Sequence, residues 1–244
     1  MNLALHIAYD GSCYFGWQET SSGPSIEGAL RVCLEKILNH PVQLQAASRT
    51  DAGVHAKHQV VNFFTNKHLD VDALSLSLKR LLPADIHLLT IESMPDHFHP
   101  TLDCQRKIYS YTLQTSPLSP FDRHYIWHYP YTIDLALLRS AAEQLIGKWD
   151  FKAFETTSSS PAKNTVREIY AIDIIETAPY RYEIQIQGDH FLYKMVRTIV
   201  GTLVQSASHK LPTDISTILK SKDRKLAGIT APAHALFLLK TIYN

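Results

Sequence analysis

The sequence is short of several things, and each shortage excludes something. Its 244 residues hold three cysteines, Cys13, Cys33 and Cys104. An odd number at wide spacing supports neither a disulfide framework nor a four-cysteine zinc site, and points to a reducing, cytoplasmic compartment. No run approaches the ~20 uninterrupted apolar residues of a membrane helix, so no membrane association is expected. The opening MNLALHIAYD lacks a basic stretch followed by an apolar core and reads as a strand, not a signal peptide. A surplus of one charge is missing too: Lys and Arg total 24, Asp and Glu 23, for a net charge of +1. Nucleic-acid binders usually carry a basic excess, so any RNA contact must come from a local basic face.

Common catalytic signatures are also absent. Gly11 to Gly16 opens like a phosphate-binding loop but continues Trp-Gln where Lys-Ser/Thr is required. No G-x-S-x-G elbow occurs. His55 with His58, and His97 with His99, pair without a further ligand cluster, so no metal is expected.

What is present is a globular composition, 45% hydrophobic and 19% charged. Leu3, Leu5, Ile7 and Tyr9 alternate as in a half-buried strand. Ser25 can cap a helix carrying Ile26, Leu30, Cys33, Leu34, Ile37 and Leu38 at helical spacing. Short strands at 42–46 and 59–64, a helix opened by Asp70 or Asp72 and ended by Pro83, and a strand at 86–91 complete a β-α-β-β-α-β order. The order returns as a strand at 107–114, a helix at 133–146 stopped by Gly147, strands at 168–176 and 180–187, a helix at 191–208 and a closing strand at 235–243. A short polar helix follows Pro212. The expectation is an α+β fold of two tandem ferredoxin-like halves, 1–104 and 105–244, with antiparallel sheets joined around a central cleft. Thr157 to Lys163, TSSSPAK, reads as a surface loop, either mobile or ordered by RNA.

The segment with chemistry in it is Ser48 to Ala56, SRTDAGVHA, set between two strands. Asp51 sits in a turn that Gly53 makes accessible, with Arg49 two residues upstream. On residue types alone, Asp51 is either an Asx-turn carboxylate bonding backbone N–H groups or a catalytic group presented by a rigid sheet. Lys220, Lys222, Arg224 and Lys225 form the densest basic run, suited to phosphate contact or to a solvated helix end.

SRTDAGVHA resembles the active-site motif of the TruA family of tRNA pseudouridine synthases. The likeness runs along the chain: Tyr9-Asp10-Gly11, Tyr14 and Gly16-Trp17-Gln18; Phe98-His99 with Lys107, Tyr109 and Tyr111; Asp150-Phe151 with Phe154; GDHFLYKMVRTIVGTL from Gly188; and Ala231-Pro232-Ala233. Trp149 stands where the family usually has His, Ala235 where it has Gly, and Ile108 where Arg is common.

The resemblance implies isomerisation of uridine to pseudouridine at positions 38, 39 and 40 of the tRNA anticodon stem-loop, by a homodimer without a cofactor. It implies Asp51 as the nucleophilic carboxylate, Arg197 as its ion-pair partner and Tyr109 as the ring that stacks on the target base. Arg49 is then the residue entering the helix where the base has flipped out, and Leu192 and Met195 wall the pocket. An RNA-binding or tRNA-folding module without catalysis is the competing expectation.

Overall fold

The computed structural model describes residues 1–157 and 162–243. Positions 158–161, within the expected TSSSPAK loop, therefore lie outside the described residues. In chain order the elements are β1 (Asn2–Tyr9), α1 (Ile26–Leu38), β2 (Gln45–Ala46), β3 (His55–Phe64), α2 (Val71–Leu81), β4 (Ile86–Met94), β5 (Arg106–Gln114), β6 (Trp127–His128), α3 (Leu135–Glu143), β7 (Gly147–Asp150), β8 (Val166–Ala178), β9 (Arg181–Gly188), α4 (Met195–Ala207), α5 (Ile215–Ser221) and β10 (Leu236–Ile242). Helices and strands mix along the chain, and the class is α+β. The chain divides into two compact units: Met1–Gln105 with Phe237–Asn244, and Arg106–Leu236.

In the first unit the strand order is β4-β1-β3-β10, with β2 also on β3. β1 runs antiparallel to both β3 and β4, while β10 joins β3 in parallel through Phe237↔His55 and Leu238↔Ala56. Period two sorts β1 between two faces. Leu3, Leu5 and Ile7 are fully buried on one, each contributing roughly 1.5–3 kcal/mol of burial free energy. Ala4 faces the other way and joins Ala47, Val60 and Phe98 in a smaller cluster, closed by Met94 and Tyr243.

The helices of this unit begin and end where local chemistry dictates. Ser25 Oγ accepts the Gly28 N–H at 3.1 Å to start α1, and Asn39 stops it in a left-handed conformation, φ 53°. Asp70 caps α2 through the N–H groups of Asp72 and Ala73. Its end at Leu82 precedes Pro83, whose ring disfavours helical backbone before it.

The second unit has the strand order β5-β9-β8-β7, with β6 alongside β5. The main strands pair antiparallel, whereas β5 and β6 are parallel. α4 is buried on nearly every side, including Val196, Thr198, Ile199, Val200, Leu203 and Val204. It starts at Met195, not at Phe191 as its apolar spacing suggests, because Lys194 takes a left-handed conformation (φ 57°) that helical backbone cannot run through. α3 is likewise shorter than its pattern: Asp134 caps it by accepting from Ala136 and Leu137 N–H. Gly147, φ 108°, leads into β7, a strand the pattern of GKWD does not announce.

Candidate active site

The loop 47–54 is clamped along its length within the first unit. Ser48 N–H donates to Gln59 Oε1 at 3.2 Å, and Gln59 Nε2 donates back to the Ser48 carbonyl at 2.6 Å. The Thr50 side chain turns inward, its Oγ1 2.8 Å from the Tyr9 hydroxyl. Its carbonyl accepts from Trp17 N–H at 3.0 Å. Val54 N–H closes a turn onto the Asp51 carbonyl at 3.1 Å, and Gly53, φ 75°, supplies the positive φ that turn needs. Gly53 N–H in turn donates to the Tyr14 carbonyl at 3.3 Å. Thr50 is buried, Arg49 is exposed and Asp51 is half-buried. The backbone on both sides of Asp51 is therefore fixed, and the residue itself is only half-buried.

The segment Tyr9 to Trp17 is the bed on which that loop lies. A Cβ at Gly11 would sit 2.1 Å from the Val54 carbonyl oxygen. One at Gly16, where φ is 97°, would sit 2.7 Å from the Thr50 oxygen and 3.1 Å from the Asp51 carbonyl carbon. Tyr14 reaches across to donate its hydroxyl to Asp85 Oδ1 at 2.7 Å. His55 Nδ1 lies 3.0 Å from both Gly11 N and Asp10 Oδ1, and its ring stacks on Phe237 at 4.5 Å. Burial pushes the Tyr9 phenol up to about 12. Tyr9 stays neutral and bonded to Thr50 through the physiological range.

In the second unit, Tyr109 and Tyr111 point to one face of β5 by period two. Tyr109 is buried and meets Phe191 edge to face, centroids 5.2 Å apart at 88°. Tyr111 is fully buried and donates its hydroxyl to the Pro232 carbonyl at 2.9 Å. Burial pushes that hydroxyl well above the usual tyrosine range, with the Arg197 guanidinium opposing the shift. Arg197, in the first turn of α4, donates Nε–H to the Ala231 carbonyl at 2.8 Å. Ala231 N–H returns a bond to the Arg197 carbonyl at 3.0 Å.

The segment carrying Ala231 is itself pinned. Gly228 N–H donates to Thr202 Oγ1 and Ile229 N–H to Gln205 Oε1, each at 2.9 Å. His234 Nε2 lies 3.3 Å from the Ile126 carbonyl, and burial lowers its pKa. Leu192 and Met195 are both buried, linked by the Met195 N–H to Leu192 carbonyl bond at 3.0 Å.

The basic run divides by role. Lys222 pairs with Asp150 at 2.8 Å. Arg224 turns inward, donating to the carbonyls of Ala227 and Gly228 and to Thr230 Oγ1. Lys220 and Lys225 are exposed. The histidine pairs have other partners: His58 Nε2 lies 3.0 Å from His6 Nδ1, and His99 Nδ1 accepts from Thr101 and Leu102 N–H. Among the described residues no group of three or more His, Cys, Asp or Glu is arranged to hold a metal.

Several residues of these two constellations did not stand out as chemistry in the sequence. Tyr9, Tyr14 and Gln59 act on the Asp51 loop; Tyr111 and the Ala231 carbonyl act on the Arg197 segment. Tyr9, Tyr14, Tyr111 and Ala231 all fall in the family-like motifs, which is the signal that singles them out. Gln59 carries no such signal.

A family model described as tRNA pseudouridine synthase matches residues 5–103 and 141–244. The chain belongs to the tRNA pseudouridine synthase family. It is similar to tRNA pseudouridine synthase A 2 of Protochlamydia amoebophila (strain UWE25), 48% identical over 246 residues that cover 99% of this chain and 94% of that protein. It is also similar to tRNA pseudouridine synthase A of Thermoanaerobacter sp. (strain X514), 38% identical over 244 residues, 99% of each. A third relative, tRNA pseudouridine synthase A 2 of Clostridium tetani (strain Massachusetts / E88), is 40% identical over 247 residues, 100% of this chain and 99% of that one. The TruA-type resemblance of SRTDAGVHA is thus upheld over the whole chain, and the protein is a pseudouridine synthase, an isomerase. In this synthase the family match includes the Asp51 loop with its bed, and Arg197 with its anchor. Residues 104–140, which include Tyr109, fall outside it.

Proposed function

We propose that this synthase isomerises uridine to pseudouridine at positions 38, 39 and 40 of the tRNA anticodon stem-loop, with Asp51 as its catalytic carboxylate. The observation that carries the reading is the mount of Asp51: a half-buried carboxylate in a family motif, its backbone held on both sides by Ser48–Gln59, Thr50–Tyr9 and Thr50–Trp17 contacts. A carboxylate on a fixed backbone loses little freedom when it engages a substrate, which is how positioning lowers a barrier.

The reaction breaks the bond between N1 and C1′, turns the uracil, and joins C5 to C1′. The proton that leaves C5 is balanced by one gained at N1, so no electrons are exchanged and no cofactor is required. Asp51 takes part as an anion, whether it attacks the ring, attacks C1′ or removes a sugar proton. Arg197 serves as the guanidinium that keeps it ionised. Its Nε bond to Ala231 sets the plane in which that guanidinium is offered.

Tyr109 stacks on the freed uracil, an interaction every base can make, and Leu192 and Met195 wall the base pocket. The uridine must first leave its stack at a cost of about a few kcal/mol, which Arg49 offsets by filling the vacated space. The enzyme works in the cytoplasm as a homodimer.

The test uses the full chain with an unmodified tRNA transcript and maps pseudouridine by position. Wild type is expected to modify positions 38–40, and Asp51→Asn to bind the RNA and form no product. Binding without product by wild type would leave an RNA-binding module in place of an enzyme on this substrate. Sedimentation of the wild-type protein checks the dimer.

A further inference from the structure

The segment between β5 and α3 has no part in the chemistry above, and it is built in an unusual way. From Ser116 to Tyr131 it reads SPLSPFDRHYIWHYPY, with Asp122 as its single acid. Its backbone is ordered by local turns: Asp122 N–H to the Ser119 carbonyl at 3.0 Å, then Tyr125 and Ile126 N–H to the Asp122 carbonyl at 3.0 and 3.1 Å. The Asp122 carboxylate is held by Arg181 at 2.5 Å, and Arg181 Nε also binds Gln114 at 2.7 Å. Trp127 and His128 then join β5, and Tyr129 N–H bonds the Gln114 carbonyl at 2.9 Å.

On this pinned turn Phe121 is 88% exposed. Tyr125 and Tyr131 follow at 41% and 49%. Cations are interleaved with the rings. Arg123 is oriented by a 3.0 Å bond from its Nε to His124 Nε2, and Lys210 lies over the rings of Tyr129 and Tyr131. A loose loop could fold its phenylalanine down, but here the turn holds the ring out in water, where its apolar surface costs free energy.

An exposed ring such as Phe121, set among cations and beside a neutralised acid, suits an unpaired nucleotide: the base stacks and the phosphate pairs with the guanidinium. Aromatic rings and Arg are also enriched at protein interfaces; the interleaved Arg123 and Lys210, beside an acid already paired with Arg181, are what favour a polyanion here.

We infer that residues 121–125 form a second RNA-contact site of this synthase, in which Phe121 stacks on an unpaired nucleobase of the tRNA and Arg123 binds a neighbouring phosphate. The inference rests on the tRNA reading above for its ligand. It does not depend on Asp51, Arg197 or Tyr109.

The experiment compares wild type, Phe121→Ala, Phe121→Tyr and Arg123→Ala on one unmodified tRNA transcript. Dissociation constants are measured over a range of salt, with turnover at saturating tRNA and the mass in solution. Phe121→Ala is expected to raise Kd and KM by about tenfold, the usual worth of one stacked base, with kcat unchanged. Phe121→Tyr keeps a ring and should bind like wild type. Arg123→Ala should weaken binding and reduce the salt dependence by about one phosphate. Unaltered Kd in Phe121→Ala, or a change in assembly mass in place of RNA affinity, overturns the inference. A wild type that binds tRNA but forms no pseudouridine counts against the function reading alone, since the binding comparison still reads this site.

Discussion

Arg197 and Ala231 exchange two hydrogen bonds, Nε–H to the Ala231 carbonyl at 2.8 Å and Ala231 N–H to the Arg197 carbonyl at 3.0 Å. One bond fixes the side chain and the other fixes the backbone beneath it. The next carbonyl along, that of Pro232, accepts the buried hydroxyl of Tyr111. Arg197 is thus oriented by a short segment whose position a third residue maintains.

Tyr111→Phe should disturb Arg197 without touching it. The substitution removes the bond to the half-buried Pro232 carbonyl, at a cost of about 1 kcal/mol. Turnover should fall several-fold while KM for tRNA holds. Thermal melting and steady-state kinetics on the same preparation check both, and an unchanged kcat would remove Tyr111 from this role.

Gly16→Ala should damage the Asp51 loop more than the rest of the fold. The new Cβ would meet the Thr50 oxygen at 2.7 Å on a backbone whose φ of 97° already disfavours a side chain. Gly147→Ala is the matched control: its φ is 108°, but its nearest contact is the Trp149 indole nitrogen at 3.4 Å. Both variants should lose stability, roughly 1–3 kcal/mol from the backbone alone. Only Gly16→Ala should also lose most of its turnover, as measured at a temperature where both remain folded.

Tyr9 predicts an alkaline weakness. A tyrosine in the unfolded chain ionises near 10, whereas burial holds the folded Tyr9 to about 12. Between those values the unfolded chain binds fewer protons than the folded one, so stability falls as pH rises. The contribution is complete below pH 10 and is lost through about pH 12. Urea midpoints across this range should fall less steeply in Tyr9→Phe. At neutral pH the same variant should be about 1 kcal/mol less stable, having lost its bond to Thr50.

Arg224→Ala should behave as a stability variant and not as an RNA-binding one. Its guanidinium holds the carbonyls of Ala227 and Gly228 and the Thr230 hydroxyl, just upstream of the Arg197 anchor. A lower melting temperature with tRNA Kd unchanged at any salt is expected. Lys225→Ala, which removes an exposed charge, should leave melting alone. A reversed pattern in a salt titration would return Arg224 to the phosphate-contact role.

Much of the fold could be read locally. The span of α1, Ile26–Leu38 behind a Ser25 cap, follows from apolar spacing and a hydroxyl at the right place. The paired strands β8 and β9 were legible as alternating runs joined at a turn. β7 was not: GKWD is four residues long and has no apolar alternation, and its pairing with β8 alone makes it a strand. The early start predicted for α4 failed because hydropathy cannot register that Lys194 adopts a left-handed backbone. In the candidate site, SRTDAGVHA pointed to Asp51 through its family resemblance, since residue types alone left an Asx-turn carboxylate open. The glycines and tyrosines of the opening segment were visible only as a family pattern, with no hint that they lie against that loop.

By itself, then, the order of residues determined the helix and strand periods, the cap at Ser25, an acidic cap at Asp70 or Asp72, and membership of the pseudouridine synthase family. Each depends on neighbours within a few positions or on a contiguous motif. The tertiary structure alone decided that Tyr9 would meet Thr50 across 41 residues and that Arg197 would find the Ala231 carbonyl across 34. Contacts at such separations depend on how the chain returns through space, which burial of the two cores dictates and no local pattern encodes.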